Sequence, residues 1–137
     1  GYCGDMFKRI GKLYPADLAA IPIGAYGTPD ERWFHKPNHQ NPQEAVLCHK
    51  HLKSRQSVGV HWGTFPMTGE HLFEPRAKLA EEAEKGGLEK DEFCCLAHGE
   101  TRVYGMDFEK YQTNALLYTS QESLAPCFCS ARCLFKI

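Results

Sequence analysis

Apolar positions along this chain recur at two periods. Met6, Phe7, Ile10 and Leu13 lie three and four residues apart, the spacing of one helical face, with Asp5 available as a cap and Pro15 blocking continuation. They predict an amphipathic helix over 5–13. Leu18 to Ile23 is a near-continuous apolar run closed by Gly24, which predicts a strand over 17–24 covered on both faces. Pro22 has no amide proton for a ladder and belongs at the end of that strand. Asn41-Pro42-Gln43-Glu44 joins a cap, a proline suited to the first turn and a glutamate able to reach back. A helix is therefore predicted from Pro42 to about Ser54, burying Ala45, Cys48 and Leu52 and leaving His49 and His51 solvated. Ser57-Val58-Gly59-Val60 reads as a buried strand. Pro75 opens a helix through Lys85, with Leu79 and Ala83 inward and Gly86-Gly87 as its stop. Residues 92–97 are the last strand candidate.

The order helix, strand, helix, strand, helix, strand predicts α/β layers. Two long connections interrupt it. Residues 25–40 carry turn chemistry in Gly27-Thr28-Pro29-Asp30 and then Trp33, Phe34, His35 and His39; residues 63–73 contain His71. Connections of that length inside one domain are commonly functional. Beyond residue 106 the periodicity fades. Residues 107–137 remain unassigned and are expected to form a poorly ordered, cysteine-rich tail, since Cys127, Cys129 and Cys133 lack the paired CxxC spacing of a structural zinc site.

At 137 residues the chain is long enough for one hydrophobic core, assigned to 1–106. Sixteen basic against 17 acidic residues leave a net charge of -1, so nothing attracts nucleic acid in bulk, and any contact with an anionic surface has to be local. No apolar run approaches the roughly 20 residues that span a bilayer. The first residue is Gly1 and no basic-then-apolar leader follows, so an interior start is expected. Seven cysteines, several within apolar runs, fit free thiols in a reducing compartment better than a disulfide framework.

The most suggestive single residue is His61. It follows the Ser57–Val60 strand at its C-terminal tip, where rigid backbone holds an imidazole and the loop beyond leaves it free to face a cleft. A metal ligand and an ordinary hydrogen-bonded histidine both suit that position, and one histidine cannot hold a catalytic metal alone.

Several blocks taken together go further: Gly1-Tyr2-Cys3, the run from Asp17 to Tyr26, Arg32-Trp33-Phe34, Pro42 to Val46, His61-Trp62-Gly63-Thr64-Phe65, Phe73-Glu74-Pro75 and His98-Gly99-Glu100-Thr101-Arg102. In unbroken order they resemble the N-acyl-phosphatidylethanolamine-hydrolysing phospholipases D of the metallo-β-lactamase superfamily. The resemblance implies the C-terminal half of an αββα sandwich with two zinc ions per complete site, the other ligands (an HxHxDH cluster, a further histidine and a bridging aspartate) preceding Gly1. His61 matches the last zinc-ligand histidine. His39 matches a histidine near the substrate's phosphate and glycerol, and Trp62 and Thr64 are expected to support His61. Trp33 and Phe34, amphipathic aromatics suited to lipid interfaces, either line an acyl or membrane-facing groove or cap the core beneath the long loop. No catalytic residue is assigned within this stretch. Gly27-Thr28-Pro29-Asp30 is longer than the family's usual link, and the tail does not resemble the family's short acidic end.

The resemblance further implies hydrolysis of N-acylated ethanolamine phospholipid to N-acylethanolamine and phosphatidic acid. The setting would be peripheral, on the cytoplasmic side of intracellular membranes, with a homodimer as one possible assembly. The fragment by itself should be inactive for want of ligands. Two other readings stand beside this one: a superfamily hydrolase with a different substrate (a lactone or another phosphodiester), and a non-catalytic truncated chain that binds partners or lipid.

Overall fold

The computed structural model describes residues 1–104. The expected tail at 107–137 lies outside the described residues. The chain divides into two units, Gly1–Leu96 and Ala97–Ile137.

In the first unit the elements run α1 (Gly4–Leu13), β1 (Leu18–Pro22), α2 (Arg32–His35), α3 (Pro42–His51), β2 (Gln56–Val60), α4 (Glu74–Lys85) and β3 (Phe93–Cys94). The strands form a parallel sheet in the order β1-β2-β3. Leu18 pairs with Gln56, Pro22 with Val60, and Ser57 with Phe93. Parallel neighbours need crossovers, and two right-handed crossovers stepping the same way across a sheet put α3 and α4 on the same face. The core is what lies between: Ile21 and Ile23 from the β1 side, Ala45, Val46 and Cys48 from α3, Leu79 and Ala83 from α4, and Phe93 from β3. Gly59 sits beneath this cluster, where a Cβ would come within 3.0 Å of Ile23 and 2.8 Å of the Cys95 sulfur.

The elements follow the sequence closely, with instructive departures. Asn41 Oδ1 accepts from Glu44 N at 2.9 Å and Glu44 Oε2 accepts from Asn41 N at 3.1 Å, the reciprocal cap that residues 41–44 predict. Pro22 ends β1 as expected. β1 is covered on one face only: Ala19 and Ile21 pack toward the helices, whereas Ala20 and Pro22 alternate outward and are exposed. Asp5 lies inside the first turn of α1, and Cys3 is the residue before it. Residues 25–40 contain the short helix α2, β3 is only two residues long, and α3 stops at His51.

Both histidines expected in solvent on α3 are engaged. His49 is 2% exposed, and its ring nitrogens lie 2.8 Å from Ser57 Oγ and 3.1 Å from Glu92 Oε1. Position 49 is four residues after Ala45 and therefore on the buried stripe, a spacing that outweighs the polarity of the side chain. His51 is half-buried, with Nδ1 2.6 Å from the Tyr2 hydroxyl.

The four described cysteines are free thiols. Burial pushes Cys48 up to about 11 and, together with Cys94, Cys95 up to about 12, so both are inert core residues. No described helix is long and apolar enough to cross a membrane. In the second unit, Glu100 N donates to Ala97 O and Ala97 N to Glu100 Oε2, both at 2.9 Å, closing a turn around Gly99 (φ 85°).

Candidate functional site

The C-terminal ends of β1 and β2 lie side by side, where a parallel sheet opens its loops. His61 is the first residue past β2 and has φ 61°, a left-handed conformation that is uncommon for a side chain with a Cβ. The neighbouring chain fixes it there. Gly24, just past β1, presses so closely on His61 that a Cβ at 24 would overlap the His61 carbonyl oxygen. The imidazole of His61 is exposed and stacks on His39, with ring centroids 5.5 Å apart and planes inclined by 14°. His35 lies 6.1 Å beyond His39, and Phe34 and Trp33 continue the series of rings at 5.2 and 5.8 Å. Partial burial and the neighbouring His61 and His35 rings hold the His39 imidazole below its ordinary pKa.

The backbone of His39 is held from α3. Arg32 Nη1 donates to His39 O at 3.0 Å, and its Nη2 pairs with Glu44, the same carboxylate that closes the α3 cap. Gln40 donates to Pro22 O at 3.0 Å, tying the residue after His39 to the end of β1.

Two glutamates join the loops on either side. Glu70, in the loop after β2, accepts from Ala25 N at 2.6 Å and Gly27 N at 2.9 Å, and also from the Thr68 hydroxyl. Both Ala25 (φ 60°) and Gly27 (φ 75°) are left-handed, a turn that directs successive amide protons to one carboxylate. Glu31 answers from the other loop, accepting from Thr28 N at 2.8 Å and Gly69 N at 3.2 Å. Burial works to raise the Glu70 pKa, but its hydrogen bonds outweigh that and hold it below the usual carboxylate range. The Thr28 amide does the same for Glu31. Tyr26 donates to Glu74 at 2.8 Å at the start of α4. Nothing in the local sequence singled out Glu31 and Glu70, whose shared amides lie in turns distant along the chain.

Of the residues expected at the site, the structure brings His61 and His39 together, with Trp33 and Phe34 on α2 at the far end of the ring series. Trp33 is 79% and Phe34 63% exposed. Trp62 turns back toward the core, its Nε1 donating to Gly59 O at 3.0 Å and its ring lying 5.9 Å from the Arg76 guanidinium. Thr64 is exposed. A shallow cleft beside His61 is lined by Gly24, Ala25, Glu70 and His71.

Among the described residues no three His, Cys, Asp or Glu side chains come close enough to share a metal ion. A zinc site takes about three or four protein ligands. These residues therefore do not constitute a metal site by themselves; His61 stands as a single projecting donor.

The class indicated by sequence relatives is that of metal-dependent hydrolases. One so named, from Nitratidesulfovibrio vulgaris, is 36% identical over 73 residues, 53% of this chain and 26% of that protein. Within that class the chain resembles N-acyl-phosphatidylethanolamine-hydrolysing phospholipases D. It is 58% identical over 83 residues to phospholipase D 1 of Caenorhabditis elegans, covering 59% of this chain, and 42% identical over 106 residues to the mitochondrial enzyme of Saccharomyces cerevisiae, covering 76%. The chain spans 22% of the length of each of these two relatives. A solved metallo hydrolase from Ignicoccus hospitalis is 26% identical, with a TM-score of 0.45, covering 69% of this chain and 33% of that one. No protein-family model matches the chain.

Proposed function

We propose that this chain is part of a zinc-dependent phospholipase D that hydrolyses N-acyl-phosphatidylethanolamine to phosphatidic acid and an N-acylethanolamine. The observation that carries the reading is the His61 and His39 pair, held at the open end of a parallel sheet within a sequence that closely resembles such phospholipases. In this reading His61 is one zinc ligand. His39, beside His61 and the exposed aromatics of α2, donates or accepts a hydrogen bond at the phosphodiester or glycerol oxygens. Trp33 and Phe34 line the path of the lipid, and Trp62 and Thr64 brace the turn that carries His61. The other zinc donors come from sequence outside this chain, in keeping with a sandwich of which these layers are one part. The chain alone is accordingly inactive, and the complete enzyme works peripherally at the cytoplasmic side of an intracellular membrane.

The test compares the 137-residue chain with an extended protein that carries the HxHxDH segment, by metal analysis and by release of N-acylethanolamine. Roughly two zinc per extended chain and almost none on the shorter one are expected, as for a dinuclear hydrolase. In the extended protein, His61→Ala should lose both metal and lipid hydrolysis. Equal zinc on the two chains would sink the reading. The Nitratidesulfovibrio relative, named only as a metal-dependent hydrolase, favours a second reading in which the class holds but the substrate differs; metal-dependent turnover of another ester without release of N-acylethanolamine would select it.

A further inference from the structure

α1 is amphipathic in an unusual way, because only part of its apolar arc is used. Phe7 and Gly11, one helical turn apart, face the protein. Phe7 packs 5.8 Å from the Tyr2 ring, and Tyr2 reaches His51 at the end of α3. A Cβ at Gly11 would overlap the His51 carbonyl oxygen, so the helix is pressed directly on the backbone of α3. The rest of the arc points away. Met6 is 50%, Ile10 39% and Leu13 58% exposed, and these positions at i, i+4 and i+7 form one continuous stripe. Tyr14, just past the helix, extends it with 76% exposure.

Charge distinguishes what could cover this stripe. Lys8, Arg9 and Lys12 stand exposed on the same helix against the single carboxylate of Asp5, with Arg9 and Lys12 on the side of the stripe and Lys8 on the side toward His51. Among the described residues, no ion pair takes any of the three cations. A chain of net charge -1 thus carries a local cationic surface beside an uncovered apolar one. The helix also starts near α2. A Cβ at Gly1 would overlap the Lys36 carbonyl oxygen, two residues past the exposed Trp33 and Phe34. Aromatics of that kind are suited to the headgroup boundary.

We propose that the stripe of Met6, Ile10 and Leu13, bordered by Arg9 with Lys12 beyond it, is a docking surface for an anionic phospholipid bilayer. The apolar side chains enter the acyl boundary while the cations meet headgroup phosphates and carboxylates, the arrangement of an interfacial helix. Because Gly11 and Phe7 fix α1 to α3, docking orients the whole α/β layer on the membrane. The proposal deepens the phospholipase reading by naming the element that meets the bilayer. Its test reads binding rather than hydrolysis, so the two can fail separately.

The full 137-residue chain is sedimented with vesicles of phosphatidylcholine alone and of phosphatidylcholine mixed with phosphatidylserine. Binding is expected to the mixed vesicles, weakening at high salt. Each cation near an anionic surface is worth a factor of about five, so Arg9→Glu/Lys12→Glu should lower partitioning by well over tenfold. Met6→Ser/Ile10→Ser/Leu13→Ser should lower it by a similar or larger factor. Circular dichroism checks that the variants remain folded, and the charge variants alter no packed residue, so they hold the test open if the serine variant does not fold. Equal binding to both vesicle types, or unchanged binding by the charge variants, would overturn the proposal. So would light scattering that revealed a lipid-independent dimer lost with the serine substitutions, which would assign the stripe to a second copy.

Discussion

β2 carries a histidine cluster at each end, and the two differ in every respect that matters. At its start, Ser57 meets His49, whose other ring nitrogen meets Glu92, and both His49 and Ser57 are buried. A carboxylate only accepts, so His49 Nε2 carries the proton toward Glu92, while Nδ1 lies against the Ser57 hydroxyl, which itself donates to Ser54 Oγ at 3.2 Å. Every hydrogen-bonding position of the imidazole is used. At the strand's other end, His61 and His39 touch each other through their faces, and among the described residues neither ring nitrogen takes a hydrogen bond. A Ser-His-Glu string whose serine and histidine are buried, with only the glutamate reaching the surface, is fold, however much its composition suggests catalysis. Two histidines with free nitrogens at a sheet's open end are available for chemistry.

The comparison is tested most severely at His49. Replacing it with alanine leaves the Ser57 hydroxyl without its ring partner and opens space in the core, so His49→Ala should cost about 2–4 kcal/mol of stability in urea unfolding. A loss below about 1 kcal/mol would mean that the buried string contributes little and that the contrast between the two ends of β2 is mistaken.

The loop carboxylates come next. Glu70→Gln replaces an acceptor of two backbone N–H groups with an amide whose NH2 cannot accept, and should cost about 1–3 kcal/mol. The folded pKa of Glu70 lies below the ordinary value of 4.5. Its contribution is therefore complete above that value and is lost as pH falls toward the lower folded pKa, because the unfolded chain takes up the proton first. Urea midpoints measured through this acid range should fall with pH in the wild type and less steeply in Glu70→Gln. Equal slopes would remove Glu70 as the clasp between the two loops.

The α3 cap allows a smaller test. Asn41→Ala removes the acceptor for Glu44 N and should cost about 1 kcal/mol. Because Glu44 also pairs with Arg32, which holds the His39 carbonyl, the substitution should broaden the His39 ring resonances while leaving those of His49 unchanged. Equal broadening at both histidines would mean that the two clusters are not independent.

Much of this was legible in the sequence because local rules and packing agreed. Residues 41–44 announce their cap, Leu79 and Ala83 fall on one helical stripe, and Pro22 marks the end of a ladder. His49 was misread because polarity was weighed above its i+4 relation to Ala45. The covered-on-both-faces reading of β1 failed because a continuous apolar run does not say what lies opposite, and Ala20 and Pro22 face outward here. His61 was legible as a position at a strand tip, but its pairing with His39 was not: it depends on a crossover that returns residue 39 beside residue 61. Glu70 and Glu31 were invisible for the same reason, since their partners lie about 40 residues away or in turns whose left-handed backbone no composition reveals.

The smallest expected effect is the most discriminating. His61 occupies φ 61°, which costs a residue with a Cβ about 1–2 kcal/mol, whereas glycine adopts it freely and loses about 0.5–1 kcal/mol through unfolded-state entropy. With an exposed ring that takes no hydrogen bond among the described residues, His61→Gly should therefore stabilise the fold by about 0.5 kcal/mol. The same substitution should abolish metal uptake in the extended protein, so that a gain in stability accompanies a loss of function. If His61→Gly instead cost more than about 1 kcal/mol, the His39 stack would be holding the loops together. The two ends of β2 would then be one kind of structure rather than two.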